Sequence, residues 1–408
     1  MVSYQKLLIF SFLILFIIEI IGFKKKLFII KKPSKIALLF ICFYFAYLAG
    51  SFFTYFPEIA LKYLEYKMAF LLIPLLFIIQ PKPHIKLIFP ILGIISGVLI
   101  VALISLINGI ICYNKIHYYF ECFFSSYLIS EHPTYFTIFL TMSLASIWIS
   151  YHYKYAFLNK KINILMSFFF ITFIVLLLSI SGILFLLLLI LIYILKTLSK
   201  KYGYIKSIII SFICVSILTT SFLSISIFKN EFSNTKNSFL KYIDNPKKFI
   251  KSSKNHNGDD VRLIMWTATI QEMYEHPFGV GTGNVDYYLS KRLKSLGQLE
   301  MSKMDNKNQI LYNPHNQFLQ TGLEIGIFGL LVLLFILFYV LYFAYKTKNW
   351  LLLILVSNLF FNCLFESMLQ RQSGIVFYTF WICLLSYYSN PKDYIQNENT
   401  FSHSILST

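Results

Sequence analysis

Long apolar runs of about twenty residues recur along this sequence and constrain its fold more than any other feature. A membrane-spanning helix needs about 20 mostly apolar residues, because the hydrocarbon core of a bilayer is about 30 Å thick. The runs lack the alternation of barrel strands, so we expect an all-α polytopic membrane protein with about 11 (11–12) transmembrane helices. The candidate spans are 7–23, 36–54, 60–79, 87–112, 134–150, 162–180, 182–198, 206–228, 317–342, 349–366 and 373–388.

The composition of the chain excludes a soluble enzyme. Hydrophobic residues make up 57% of it and charged residues only 13%, whereas soluble domains carry about a quarter charged residues. In a soluble protein the net charge of +18 would suggest a nucleic-acid ligand. Here the charges lie between apolar runs, so we expect membrane lipids and no nucleic acid as partners. The first run ends in lysines 24–26 without a small-residue cleavage site, which predicts a retained span.

The six cysteines are scattered and form no CxxC pair. Most lie in or beside apolar runs. We interpret them as small buried hydrophobic residues, with no disulfide framework and no metal-binding role.

The distribution of lysines predicts the orientation of the chain. Eighteen of them fall in one set of alternate loops, whereas the short loops of the other set carry little basic charge beyond Lys6, Lys115 and Arg371. Short cytoplasmic loops are the lysine-rich ones, so the N-terminus is expected outside and the C-terminus inside. The expected units are an N-terminal transmembrane bundle of about 8 helices (1–228), a large extracytoplasmic loop containing short helices (229–316), about 3 C-terminal transmembrane helices (317–388) and a cytoplasmic tail (389–408).

The external segment 229–316 is long enough to hold structure of its own. A polar linker is expected from Lys229 to Gly258, followed by a helix that Asp259 and Asp260 would cap and Pro277 would end. A loop of this length between packed spans is usually either functional or disordered. Its content of Arg, Trp, His and Gly favours function.

The residues that open the next span offer acid–base and anion-binding groups. Asn313 is expected to cap this helix with Pro314 at its first position, which would place His315 and Asn316 in the first turn. A helix N-terminus favours phosphate, and a histidine there can act as a general base beside amides that hold a diphosphate. An isolated His-Asn pair is more often a plain polar cap. Glu324 lies about half a revolution from His315 around the helix and ~13 Å from it along the axis. We therefore expect Glu324 to face the bundle and to pair with another residue there.

The helix of the external segment carries a second candidate pair, Arg262 and Trp266, one turn apart. A guanidinium can grip a diphosphate at two points, and an indole can stack on a sugar face. A helix lying on the membrane with Arg262 toward lipid phosphates explains the pattern equally well. Gly279 and Gly281 follow in a GxGxG spacing, but no strand–helix nucleotide fold accompanies them.

Three further cationic groups map to the same membrane face. Arg371 lies in the outer turn between the last two spans, Lys67 lies on the outer half of the third span, and His132 opens the fifth. Each is ordinary at an interface, but their convergence with Arg262 and His315 suits an anionic, lipid-linked substrate. No HExxH or other ligand spacing is present, so no metal ion and no cofactor is expected.

Together these residues resemble the superfamily of O-antigen ligases and O-antigen polymerases. The resemblance combines an external Arg-x-x-x-Trp helix, a Pro-x-Gly-x-Gly loop and a His-Asn-x-Phe-Leu block that leads into Glu-x-Gly-x-x-Gly. The residues that carry it are Arg262, Trp266, Pro277, Gly279, Gly281, His315, Asn316, Phe318, Leu319, Glu324, Gly326 and Gly329. The multiple spans and the large late loop, periplasmic in this family, extend it over most of the chain.

The resemblance implies an O-antigen ligase-like, metal-independent glycosyltransferase in the bacterial inner membrane. The donor would be a glycan on undecaprenyl diphosphate. The acceptor hydroxyl would belong to lipid A-core for a ligase, or to another lipid-linked repeat for a polysaccharide polymerase.

The resemblance also implies roles for individual residues. His315 would be the base, and the substrate contacts would be Arg262, Arg371, Lys67, Trp266, Asn316 and His132. Structural support would come from Glu324, Gly279, Gly281 and Gly326. The family often carries a Ser-Arg pair on a middle span, where this chain reads Ser-Ile-Ser-Gly at 179–182, so Lys67 or Arg371 would have to replace that arginine.

Two other functions stay open from the sequence. A lipid-linked saccharide flippase would explain the basic outer face and the intramembrane Glu19 and Glu324, although the repeat-related halves typical of transporters are absent. A non-catalytic membrane scaffold would leave the basic residues without a shared role.

Overall fold

The computed structural model describes residues 28–30, 34–81, 87–124, 128–129, 132–152, 159–224, 226–252, 258–310 and 312–388, with single positions at 14, 17, 18 and 21. Most of the expected first span, including Glu19, lies outside the described residues, as does the expected tail 389–408.

The described residues are helical almost throughout. Phe28–Ile30 (β1) pairs antiparallel with Ile79–Pro81 (β2), with Ile29 opposite Gln80. The helices are α1 (Lys35–Ser51), α2 (Pro57–Lys67), α3 (Ala69–Ile78), α4 (Ile88–Ile116), α5 (Tyr119–Phe123), α6 (Pro133–His152), α7 (Lys160–Leu176), α8 (Ile180–Tyr202), α9 (Tyr204–Ser224), α10 (Ser226–Asp244), α11 (Pro246–Ser252), α12 (Gly258–Glu275), α13 (Val285–Ser295), α14 (Gln317–Lys346), α15 (Trp350–Cys363) and α16 (Gln372–Tyr387).

The all-helical class expected from the apolar runs is confirmed, but the number of spans stays a prediction. Four helices in the described part of the chain are long and apolar enough to cross a membrane: Ile88–Ile116, Pro133–Tyr151, Ile180–Ser199 and Gln317–Lys346. Shorter apolar helices are Lys35–Ser51, Tyr204–Thr220, Trp350–Cys363 and Gln372–Tyr387.

Two of the expected span boundaries differ from the observed ones. The segment 60–79 is divided into α2 and α3 at Met68, which is the C-cap of the first helix and the N-cap of the second. The break inside 162–198 falls before Ile180. Ser179 caps α8 there, since its hydroxyl accepts a hydrogen bond from the amide of Gly182 at 3.3 Å.

The polar linker expected from Lys229 to Gly258 was wrong, because α10 and α11 occupy most of it. Apolar residues of this stretch pack against α12: Phe249 and Ile250 share a core cluster with Ile264 and Met265. Packing of these apolar residues against α12 therefore stabilises helices in a segment that is mostly polar in sequence. The helix α12 begins at Gly258, so Asp259 and Asp260 lie in its first turn and are not caps.

Two clusters of buried side chains organise the fold. The larger one joins α1, α3, α4, α6, α7, α8 and α14–α16. The smaller one lies in segment 229–316 and links α12 and α13 with Leu323 near the start of α14. Segment 229–316 is thus packed onto the helix that directly follows the His-Asn block.

The cysteine interpretation was wrong for Cys112 and Cys122, whose sulfurs are bonded. The chain leaves α4 through His117, in the left-handed region at φ 56°, and folds back as α5, which brings the two Cα atoms to 5.5 Å. Disulfides persist in oxidising compartments, so this pairing agrees with the external placement expected from the lysines.

We expect a membrane-impermeant maleimide applied to intact cells to label Cys112 and Cys122 only after a reductant is added. The double variant Cys112→Ser, Cys122→Ser is the control for labelling at other thiols. Labelling that also requires permeabilised cells would place this end of α4 in the cytoplasm.

Candidate active site

His315 lies in a bend before α14 and not in the first turn of the helix, contrary to expectation. The side chain of Asn316 accepts hydrogen bonds from the amides of Phe318 and Leu319 at 2.9 and 3.0 Å, so Asn316 is the N-cap and α14 starts at Gln317. Asn313 accepts from the amide of His315 at 2.8 Å, which stabilises the left-handed conformation of His315 at φ 46°. The bend turns the imidazole away from the helix axis.

Glu366 contacts that imidazole, and the sequence reasoning missed it. Its Oε2 is 3.0 Å from Nδ1 of His315 and 4.0 Å from Nε2 of His132. The side chain of Glu366 is only 5% exposed, whereas that of His315 is 23% exposed. A carboxylate on Nδ1 fixes the ring orientation and leaves Nε2 to act on a substrate.

Electrostatics around Glu366 favour its charged form. Burial raises the pKa of Glu366, but the hydrogen bond and charge of His315, the charge of His132 and the amide of Ser367 outweigh it, so the pKa lies below its ordinary value. Glu366 is therefore a carboxylate at neutral pH and can orient a histidine.

Residues 364–371, which we call the Glu366 turn, are held by side chains from other helices. Asn316 Nδ2 donates to the carbonyl of Leu364 at 3.0 Å, and the hydroxyl of Tyr135 donates to the carbonyl of Ser367 at 3.1 Å. The side-chain oxygen of Gln317 accepts from the amide of Leu369 at 2.6 Å. These contacts fix the carboxylate of Glu366 relative to the start of α14.

A cleft of ≈ 650 Å³ opens beside this group, between the start of α6, the α7–α8 turn, α10 and α12. Its polar lining includes His132, Thr134, Ser179, Ser181, Thr235, Asp259, Arg262 and Trp266, and its apolar lining includes Leu177, Leu184, Phe239, Leu263 and Phe365. The cleft thus offers both a polar headgroup region and an apolar wall.

Three buried nitrogen atoms of the cleft lining have no hydrogen-bond partner among the described residues: His132 Nδ1, Arg262 Nε and Trp266 Nε1. Buried polar groups are normally hydrogen-bonded, so these three atoms can bind polar groups of a ligand in the cleft. Arg262 also makes an ion pair with Asp259, Nη1 to Oδ1, at 3.2 Å. Its Nε edge is therefore available to an anion.

Arg371 is close enough to His132 for its charge to affect the pKa of that imidazole. Its guanidinium lies 5.7 Å from the ring centroid of Tyr135. Burial lowers the pKa of His132, and although Glu366 opposes this, the charges of Arg371, His315 and Arg262 lower it further. The charges of four site residues therefore act on the imidazole of His132: Glu366, Arg371, His315 and Arg262.

Residues 179–181, where the family often has a Ser-Arg pair, line the cleft. Ser179 and Ser181 line it, and the hydroxyl of Ser179 lies 3.2 Å from that of Thr134 and 3.4 Å from that of Ser181. Hydroxyl groups occupy the place where the family often has a cation. The positive charge in the lining of this cleft comes instead from Arg262.

Lys67 and Glu324 do not line the cleft. Lys67 is fully buried, and its Nζ is 3.7 Å from Oε1 of Glu324. This pairing gives Glu324 the partner that an ionisable residue in a span needs. The same pairing directs the ammonium of Lys67 into the bundle, away from the residues where a diphosphate contact was expected.

The glycines of the external loop meet a kink in α14. Gly326 has φ 72°, and a Cβ on Gly279 would collide with the backbone of Gly326. Val280 N donates to the carbonyl of Leu323 at 2.8 Å and Gly281 N to that of Glu324 at 3.0 Å. The loop thus satisfies carbonyls that the kink releases, which is a structural role and not nucleotide binding.

One group of acidic residues and histidine in the described chain has the spacing of a metal site: Glu272, Glu275 and His276. Arg292 binds both carboxylates, at 2.6 Å from Glu272 and 2.5 Å from Glu275. We assign this group to an ion-pair network that joins α12 to α13.

The comparison with known families agrees with this geometry. Residues 165–334 match the family model described as O-antigen ligase, which confirms the resemblance drawn from the motif residues. The match includes Arg262, Trp266, His315 and Glu324, whereas His132 and the Glu366 turn lie outside it. No curated protein matches the chain.

Proposed function

We propose that this chain, whose residues 165–334 match the O-antigen ligase family model, is a membrane glycosyltransferase that moves a glycan from undecaprenyl diphosphate to a hydroxyl of lipid A-core. We place the reaction on the periplasmic face of the bacterial inner membrane, with the segment 229–316 on that side. Joining of lipid-linked repeats by the same chemistry is the polymerase alternative.

The observation that carries this proposal is the contact of His315 with Glu366 beside the cleft that Arg262 and Trp266 line. With Nδ1 bound to the carboxylate, Nε2 of His315 takes the proton of the acceptor hydroxyl. The acceptor oxygen bonds to the anomeric carbon as the bond from that carbon to the diphosphate oxygen breaks. The electron pair leaves with the undecaprenyl diphosphate.

The positive charge that stabilises the leaving diphosphate comes from side chains. Arg262 lines the cleft and has an unpartnered Nε, and Arg371 lies close enough to His132 to lower the pKa of that imidazole. Trp266 lines the cleft and offers its indole face and N–H to a sugar. The apolar wall of Leu177, Leu184 and Phe239 suits the prenyl chain.

A deletion strain of the native host tests this proposal on a lipopolysaccharide gel. Loss of a ligase leaves bare core while lipid-linked polymer accumulates in the outer leaflet. Loss of a polymerase leaves core with a single repeat, and accumulation of lipid-linked glycan in the inner leaflet indicates a flippase. An unchanged gel and unchanged lipid-linked pools would refute glycan transfer by this protein.

A further inference from the structure

A buried polar network joins α2, α14 and the Glu366 turn. The Oε1 atom of Gln370 accepts a hydrogen bond from Nζ of Lys67 at 2.7 Å, and its Nε2 donates to Oε2 of Glu324 at 2.5 Å. The ammonium of Lys67 also lies 4.3 Å from the ring centroid of Tyr47 and 5.1 Å from that of Tyr63. One amide therefore bridges a buried cation and a buried anion, with its donor and acceptor ends both used.

Gln370 stands at the end of the turn that carries Glu366 and directly before Arg371. Its own amide donates to the carbonyl of Ser367 at 3.2 Å, so movement of Gln370 moves the segment next to Glu366. The neighbouring amide, that of Leu369, is held by Gln317 on α14. Two side chains of α14 therefore hold the Glu366 turn: Gln317 binds the amide of Leu369, and Glu324 binds the side chain of Gln370.

We propose that Lys67 and Glu324 are positioning residues that act through Gln370: they fix the Glu366 turn so that Glu366 meets His315 and the guanidinium of Arg371 lies against the ring of Tyr135. This inference rests on the proposed function. It replaces the substrate contact expected of Lys67 with a role at a distance, because neither Lys67 nor Glu324 lines the cleft.

The energetics of buried ion pairs favour such a role. Two charges taken out of water lose their hydration. A protein in which well-packed apolar residues of similar volume replace such a pair is therefore often equally stable or more stable. A buried charged pair with a bridging amide does, however, favour one geometry, because rotation of the amide removes one hydrogen bond from each charge. The pair is therefore suited to orienting the turn more than to stabilising the bundle.

An exchange of carboxylate and carboxamide tests the proposal. Gln370→Glu alone places two carboxylates beside one ammonium, and we expect turnover to fall on the order of 10- to 100-fold through misplacement of Glu366. Adding Glu324→Gln returns the network to one carboxylate, one carboxamide and Lys67, in isosteric side chains. The double variant should recover turnover to within about three-fold of the wild type.

Turnover is measured per folded protein in lipid nanodiscs, with folding checked by gel filtration and thermal unfolding. Normal turnover in Gln370→Glu, or failure of the folded double variant to recover, overturns the proposal. If Gln370→Glu does not fold, Gln370→Met takes its place: it removes the bridge without adding charge and should show the same loss, and normal turnover again overturns the proposal.

Two variants in the same assay separate this inference from the function on which it rests. If His315→Ala and Glu366→Gln abolish transfer while Gln370→Glu does not, only the positioning role fails. If all three transfer glycan normally, the proposed reaction itself is wrong.

Discussion

Replacing His315 by alanine is expected to lower the rate of glycan transfer by about 10²- to 10⁴-fold, the usual contribution of a general base. The side chain is 23% exposed and its ring contacts Glu366, so its loss leaves the helical core intact. The protein should therefore accumulate in the membrane at its normal level. Turnover with saturating donor and acceptor, on purified protein, measures the effect.

The matched control is His276→Ala. His276 also lies in segment 229–316, but it contacts Glu272 at 3.6 Å and not Glu366, so the turnover of His276→Ala should stay within about two-fold of the wild type. Transfer by folded His315→Ala at more than about a tenth of the normal rate would remove His315 as the base.

Replacing Arg262 by alanine is expected to reduce kcat/KM for the lipid-linked donor by about 10²-fold or more. Truncating one partner of a desolvated charge pair costs 2–5 kcal/mol or more, and Arg262 has an unpartnered buried Nε on the cleft. The KM for the acceptor should change little. Arg262→Lys should be intermediate, because an ammonium keeps the charge but loses the planar fork that binds a diphosphate at two points.

Lys291→Ala is the control for Arg262, since it removes one positive charge from an exposed position of the same segment. Its donor kcat/KM should stay near the wild-type value. An equal loss in both variants would mean that the external segment attracts the donor only through its overall charge, and that Arg262 has no specific contact.

The sequence predicted the helices because they depend on local pattern. Apolar runs place α4, α6, α8 and α14 where the structure has them. His132, Arg262 and His315 were expected on one face, and the structure brings them into one electrostatic group. Polar residues are common at helix caps and in loops, so the ends of helices can be predicted from the sequence.

The parts that the sequence did not reveal depend on long-range contacts. Glu366 lies 51 positions from His315, and no spacing along one helix joins them. Lys67 looked external from its position, but only the packing of Tyr47 and Glu324 shows that it points inward. Asn313-Pro314 resembled a helix start, but Asn316 reaches the free amides itself and caps the helix three residues later.

The same distinction explains the polar linker and the disulfide. α10 and α11 acquire their partners from α12, which no local pattern contains. Cys112 and Cys122 meet because the chain reverses at His117, a residue with no turn signal of its own. In each case the sequence shows the residue type and the fold supplies the neighbour.

The most direct measurement is a transfer assay on the purified protein in nanodiscs, with undecaprenyl-diphosphate-linked glycan and lipid A-core as the only substrates. We expect glycosylated core and free undecaprenyl diphosphate to appear in equal amounts, and neither to appear with His315→Ala. Polymer lengthening on the lipid carrier in place of core modification would instead identify the polymerase. Donor that stays intact with folded wild-type protein, or equal product from folded His315→Ala, would contradict glycan transfer through this histidine.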